Sequence, residues 1–165
     1  MKLLPQILSS LADYEIWGER RVRVLSIVDD SRKVKKGSLF VAITGLNVDG
    51  YRFIPSAILK GAAVIFGERT PKKYWLKRVT YVKVPDTRMA LGILASNWYE
   101  NPSSKMKIIG VTGTDGKTTT STLIWWILKY WGKKVGLVTS VSAIIGQREY
   151  ETGFHVTNPE PLSLQ

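Results

Sequence analysis

The chain has 165 residues, 44% hydrophobic and 22% charged, proportions of folded globular proteins that exclude a disordered tail or a collagen-like fibre. Basic residues outnumber acidic ones by 11, and there is no cysteine, so disulfide frameworks and cysteine-ligated zinc sites are out and a reducing, cytoplasmic setting is expected. The longest strongly apolar run, residues 123–128, is six residues against the ~20 needed to cross a bilayer. Pro5, Gln6, Ser9 and Ser10 interrupt the amino-terminal leucines as a signal peptide would not. No membrane partner is expected.

In chain order, Leu4, Ile7, Leu8 and Leu11 predict a short amphipathic helix over residues 3–11. Residues 22–28 and 38–43 read as strands, separated by the turn formers Asp29-Asp30-Ser31 and Lys36-Gly37. Residues 53–60 have helical spacing, and Gly61 follows as a natural terminator. Residues 63–66 and 80–84 read as strands, and Pro85-Asp86-Thr87 opens a helix that ends near Asn101-Pro102.

The turn-rich stretch Asn101-Pro102-Ser103-Ser104 is the best boundary, giving domains 1–104 and 105–165. Beyond it, residues 107–111 predict an apolar strand, 112–116 a tight loop, 118–131 a helix closed by Gly132, and 135–138 a strand. Strand, crossover helix and strand imply a parallel sheet. Residues 141–152 predict a hairpin around Gly146-Gln147, and 153–165 a loop. The fold class is therefore α/β: a small mixed domain followed by the start of a parallel-sheet (βαβ) domain. One βαβ unit is less than a parallel sheet normally contains, and the helix is apolar nearly all round, so this second domain is expected to be incomplete.

Residues 1–104 carry 17 basic and 9 acidic residues, and residues 105–165 carry 7 and 4. Such a balance favours an anionic partner, nucleic acid or a phosphorylated small molecule. No RNA-binding aromatic motif or DNA recognition helix accompanies it, so nucleic acid is not expected. Arg20, Arg21 and Arg23, and the basic residues between Lys72 and Arg78, read as solvated surface. His155, the sole histidine, makes neither a metal site nor a triad by itself, and the tryptophans at 125, 126 and 131 suit core packing.

The stretch Gly113-Thr114-Asp115-Gly116-Lys117-Thr118-Thr119 lies between the apolar strand and the helix. Its glycines let backbone N–H groups approach a polyphosphate, and the helix amino terminus adds positive potential. Lys117 is placed to reach the β- and γ-phosphates of ATP, and the Thr118 hydroxyl to ligate Mg²⁺. The spacing departs from G-x-x-x-x-G-K-[ST], whose first glycine falls at Val111; the available glycines are Gly110 and Gly113.

This loop, preceded by Ile108-Ile-Gly-Val-Thr112, resembles the ATP loop of the Mur ligases. Asp30-Ser31-Arg32 with Gly37-Ser-Leu-Phe-Val-Ala42, Gly45 and Asp49-Gly50 is similar to their amino-terminal nucleotide-sugar domain. Val84-Pro-Asp-Thr-Arg88 with Ala90-Leu91 resembles the helix ending that domain, and Thr157-Asn158-Pro159-Glu160-Pro161 a substrate segment of the central domain. Asp115 stands where the family usually has Asn, Asn158 replaces a Thr, and Tyr51 takes a position often held by His. The resemblance implies peptidoglycan precursor synthesis: ATP-dependent ligation, through an acyl phosphate, of an amino acid to UDP-N-acetylmuramoyl-L-alanyl-D-glutamate. It also implies residue roles. Lys117 is catalytic, residues 113–119 bind ATP, Thr118 carries the metal, and Asp29, Ser31, Leu46, Asn47, Val48, Thr157 and Asn158 hold the nucleotide-sugar substrate. The family's further catalytic region would lie beyond residue 165, making this chain a portion of a ligase that needs the missing carboxyl-terminal part. The alternatives are a module that binds UDP-sugar or nucleotide without chemistry, and the ligase of the next step.

Overall fold

The structure, a computed structural model, describes residues 1–45, 48–151 and 161–164. It divides into two compact units, Met1–Lys105 and Met106–Leu164.

In the first unit the amino terminus forms β1 (Lys2–Leu3) and a single helical turn, α1 (Leu4–Ile7), in place of the longer helix its leucines predict. Pro5 suits the first turn of a helix, and Leu4, Ile7 and Leu8 are buried as the spacing requires. Residue 3 is taken into β1, and the helix closes at Leu8, whose N–H is donated to the Leu4 carbonyl. The predicted strand over 22–28 is two: β3 (Arg23–Val24), antiparallel to β1, and β4 (Ser26–Val28) in the main sheet. The division falls at Leu25, whose N–H is donated to the Gly37 carbonyl.

The main sheet adds β2 (Glu15–Trp17), β5 (Ser38–Val41), β6 (Val64–Gly67) and β7 (Thr80–Lys83) in the order β2-β7-β6-β5-β4. The strands β4 to β7 are mutually parallel, and β2 closes one edge antiparallel to β7. Every residue of β5 and β6 is buried, which a parallel sheet covered on both faces demands. One face carries Phe40, Ile65 and Tyr81 in register and packs with Ile54, Ala57, Trp75 and Val79; Ile54 and Ala57 belong to α2 (Ile54–Leu59). Leu39, Val41, Val64 and Phe66 alternate to the opposite face. That leaves α1 and its neighbour α3 (Thr87–Trp98) as its cover, with Leu4, Ile7, Leu91 and Leu94 fully buried.

The helix α3 starts where the sequence places it, with the Asp86 carboxylate accepting from the N–H groups of Arg88 and Met89. It ends on Glu100 and Asn101, both in left-handed conformation (φ 65° and 52°). Near that end Asn97 is 5% exposed and ties helix to amino terminus: its amide donates to the Ile7 carbonyl at 2.8 Å and its Oδ1 accepts from the Ser10 hydroxyl at 2.9 Å.

In the second unit α4 (Lys117–Tyr130) follows the glycine loop, and Gly132 (φ +72°) lies just past it. The strands β8 (Leu137–Val138), β9 (Ser142–Ile145) and β10 (Arg148–Glu151) form an antiparallel sheet, with Gly146 (φ +64°) in the predicted hairpin turn. Residues 161–164 form a last helical turn, α5 (Pro161–Leu164).

The chain is thus mixed α/β with a parallel-strand sheet, and its parallel pairs lie in the first unit. Residues 107–111, expected as a parallel strand, join no ladder, and Ile108 and Ile109 are 68% and 60% exposed. A strand needs a neighbour; β8 finds one across the tight turn 139–142, and such a short closure costs little entropy. The apolar flank of α4 likewise stays open, with Leu123, Trp126, Ile127 and Trp131 exposed and Trp125 buried.

Candidate functional site

Two groups of residues have the chemistry of a site, one in each unit. In the second unit the loop turns into α4 at Gly116, a left-handed residue (φ 73°, ψ −1°) with no side chain to cap the helix. The first-turn N–H groups therefore have no side-chain acceptor, and the helix presents donors and positive potential at this end. Lys117 curls back so that its ammonium donates to the carbonyls of Gly113 at 2.7 Å and Thr114 at 3.0 Å. Farther along, the Ser121 hydroxyl donates to the Lys117 carbonyl at 2.6 Å. Thr118 is half-buried, whereas Thr114, Asp115 and Thr119 are exposed.

These residues fit a nucleotide polyphosphate: uncapped amides, one ammonium and a hydroxyl beside it. They also fit Mg²⁺, which is commonly held by one or two protein oxygens with phosphates and water completing the shell. Among the described residues no group of three or more His, Cys, Asp or Glu side chains could hold a metal by itself.

In the first unit the candidate residues follow the carboxyl ends of the parallel strands, where open α/β sheets bind ligands. Asp29 and Ser31 follow β4, Val48 follows β5, and those two strands are adjacent. The turn after β4 is organised by Asp30: its carboxylate accepts from the Arg32 backbone at 2.8 Å and the Arg32 guanidinium at 2.9 Å. Those bonds hold the Asp30 carboxyl down at about 2. Asp29 and Ser31 are half-buried, and the Ser31 carbonyl accepts from Lys60 Nζ at 2.8 Å.

After β5 the chain makes a narrow loop with Thr44 bridged to Asp49 and the Gly45 N–H donated to the Val48 carbonyl at 3.0 Å. Val48 is exposed at its end. Gly50 closes the loop with no room for a side chain, since a Cβ would lie 2.5 Å from the Ile43 carbonyl oxygen. Leu46, Asn47, Thr157 and Asn158, like His155, lie outside the described residues.

Residues with no part in the sequence reading of the site gather around that loop. Glu68, just past β6, accepts from the Thr87 N–H at 2.9 Å, the Thr87 hydroxyl at 2.7 Å and the Thr44 hydroxyl at 3.3 Å. Arg69 pairs with Asp49 at 3.0 Å and lies 4.8 Å above the Tyr51 ring. The Tyr51 hydroxyl donates to the Arg69 carbonyl at 2.6 Å, accepts from the Arg69 N–H at 3.0 Å, and touches the Tyr81 hydroxyl. Burial pushes both phenols above the ordinary tyrosine range, Tyr81 the further because Tyr51 leans on it. The Arg88 guanidinium comes within 3.9 Å of where a Cβ on Gly45 would stand. A charged pair one residue beyond a predicted strand was the available signal for Glu68 and Arg69.

Comparison with known proteins supplies independent information. The family model described as "Mur ligase family, catalytic domain" matches residues 23–99. The UDP-N-acetylmuramoyl-L-alanyl-D-glutamate–2,6-diaminopimelate ligase of Bacteroides fragilis is 40% identical over 161 residues, which are 98% of this chain and 33% of that protein. The enzyme of the same name from Alkaliphilus metalliredigens is 42% identical over 165 residues, 100% of this chain and 32% of that one. The chain thus spans about a third of the length of the curated relatives it matches. A solved diaminopimelate ligase of the same name superposes over 99% of this chain and 32% of its own with a TM-score of 0.70; at 22% identity it speaks to fold alone. MurF from Acinetobacter baumannii superposes over 85% of this chain and 30% of its own, with a TM-score of 0.60 and 25% identity.

Proposed function

We propose that the chain is a Mur ligase, the amino-terminal part of an ATP-dependent ligase of peptidoglycan precursor synthesis in the cytoplasm, since the family model matches residues 23–99 and a ligase of that kind is 40% identical over nearly the whole chain. Its reaction joins an amino acid to UDP-N-acetylmuramoyl-L-alanyl-D-glutamate. The observation that carries this reading is the 40% identity to a ligase of that name over nearly the whole chain. The likeness to MurF structures, with TM-scores of 0.59 and 0.60 over 78% and 85% of this chain, favours the next ligase of the series less well than curated diaminopimelate ligases at 38–44% identity over nearly the whole chain favour this one.

In this reading residues 1–104 form the UDP-binding domain and residues 105–165 the first part of the ATP-binding domain. Asp29 and Ser31 contact the uracil end, and Leu46, Asn47 and Val48 lie along the UDP portion. A hydroxyl and amides can satisfy uracil edges, and Arg88 beside Gly45 is a cation available to the diphosphate. Thr157 and Asn158 hold the muramoyl-peptide. Residues 113–119 hold ATP, with the uncapped N–H groups of α4 on phosphate oxygens and Thr118 as the protein ligand of Mg²⁺, which supplies charge neutralisation when bound.

The chemistry is phosphoryl transfer followed by acyl transfer. A substrate carboxylate oxygen takes the γ-phosphoryl group and releases ADP; the incoming amine then attacks that carbonyl carbon, expels phosphate and loses a proton. The residues described here act by position and charge. Lys117 exchanges its two loop carbonyls for phosphate oxygens and balances the negative charge of the transfer. The rest of the ligase brings the amino acid.

Calorimetric titration of this chain with the UDP-muramoyl-dipeptide and with Mg²⁺–ATP tests the reading. Saturable binding of both is the expected result, and failure of both at millimolar ligand overturns it.

A further inference from the structure

We propose that Glu68 and Arg69 are positioning residues for the nucleotide-sugar substrate, holding Thr44 and Asp49, the two ends of the 44–49 loop. The inference deepens the reading of the first unit as a UDP-binding domain and rests on it. The loop leaves the sheet at β5, and its described residues carry a tie between Gly45 and Val48, with the Thr44–Asp49 bridge at the base. The Val48 side chain is exposed, so its own packing does not hold it in place. The fastening comes from the two residues that follow the neighbouring strand.

Glu68 takes the leading leg. Its Oε2 accepts from the Thr44 hydroxyl at 3.3 Å while its Oε1 is anchored on the Thr87 N–H and hydroxyl at 2.9 Å and 2.7 Å. Arg69 takes the trailing leg, pairing with Asp49 at 3.0 Å. The Asp49 carboxylate also accepts from the Tyr51 N–H at 3.0 Å, and the Tyr51 hydroxyl is bonded to the Arg69 backbone on both its N–H and its carbonyl. Loop and strand end are therefore knotted by side chain to backbone in both directions. Exposed pairs of this sort are individually weak. Their effect is on the fraction of molecules whose loop is already in shape, and apparent affinity scales with that fraction.

The experiment uses this chain and UDP as the probe, with ADP as a control for the second unit. Arg69→Ala and Glu68→Gln are each expected to weaken UDP binding about five-fold, to leave ADP binding as it was, and to shift the melting temperature little, since the Arg69 side chain is 58% exposed. A purely structural role would not touch the loop alone, so the second readout is amide hydrogen exchange at Gly45, whose N–H is bonded within the loop. Exchange is expected to quicken in both variants and to slow again with saturating UDP. Arg69→Lys, which keeps a cation facing Asp49, is expected to recover most of the affinity. UDP binding and Gly45 exchange unchanged in both variants overturn the positioning role alone. Absence of UDP binding by the unaltered chain overturns the underlying reading and this proposal with it.

Discussion

Lys117 and Gly113 are joined by a 2.7 Å hydrogen bond from ammonium to carbonyl, so the residue proposed to neutralise a nucleotide is held by its own loop. A bound phosphate must replace this bond and the one to Thr114 at 3.0 Å. The exchange is favourable because a phosphate oxygen brings a full opposite charge to the ammonium, whereas a carbonyl offers only a dipole. Lys117→Ala should therefore lower ATP affinity at least ten-fold, while far-UV circular dichroism stays at the level of the unaltered chain. Titration of both proteins with Mg²⁺–ATP checks this.

Gly67 stands where two phenols meet. A Cβ there would sit 2.9 Å from Tyr51 Cε2 and collide with the Tyr81 hydroxyl. Gly67→Ala should destabilise the first unit by about 1–3 kcal/mol, the usual cost of overpacking. Adding Tyr81→Phe removes the obstructing oxygen and should restore part of that loss, as read by denaturant midpoints of the single and double variants.

The same two phenols set an alkaline limit. Both are raised above the ordinary value of 10.0, chiefly by burial. An unfolded chain ionises its tyrosines near that value while the folded chain still holds these two protons. The stability they contribute is thus complete below pH 10 and drains away as the pH climbs beyond it. Absorbance titration near 295 nm should show two tyrosines that ionise only above the others, with unfolding following.

Asn97→Ala should cost about 1–3 kcal/mol, because it leaves the buried Ile7 carbonyl without its donor. The damage should be local first: hydrogen exchange in residues 4–8 should quicken before that of β5 and β6.

The Asp30 carboxyl, held at about 2 by its Arg32 bonds, keeps its charge well below the usual carboxylate range. The turn after β4 should stay closed from neutral pH to about 4 and open as the pH falls through 2, and Asp30→Asn should open it at any pH. With Arg32 exposed, the pair should contribute little to global stability. Chemical-shift titration of Arg32 is the appropriate measurement.

The strands β5, β6 and β7 of the main sheet and α3 were legible because the information was local, whereas β2 (Glu15–Trp17) lies where no strand is predicted. Residues 38–43, 63–66 and 80–84 are short apolar runs between turn formers, and Asp86 is a strong helix cap. The amino terminus was not, since the competition of Lys2 and Leu3 for a strand partner at Arg23 and Val24 is a long-range matter. The strand expected at 107–111 rested on composition alone, and a strand also needs a partner. The glycine loop was readable from spacing, but the turn of Lys117 onto Gly113 was not. Nor were Glu68 and Arg69, whose role depends on Thr44 and Asp49 coming from another strand's loop.

The crowding at Gly67 reaches past stability. Positions 51, 67 and 81 share one small volume, so substitution at any of them is felt at the other two. Over generations they can change only as a set, and a bulkier residue at 67 presupposes a slimmer one at 81. Because Tyr51 also grips Arg69, which pairs with Asp49, that set extends to the 44–49 loop, so the room available inside the sheet limits the variety open to its rim.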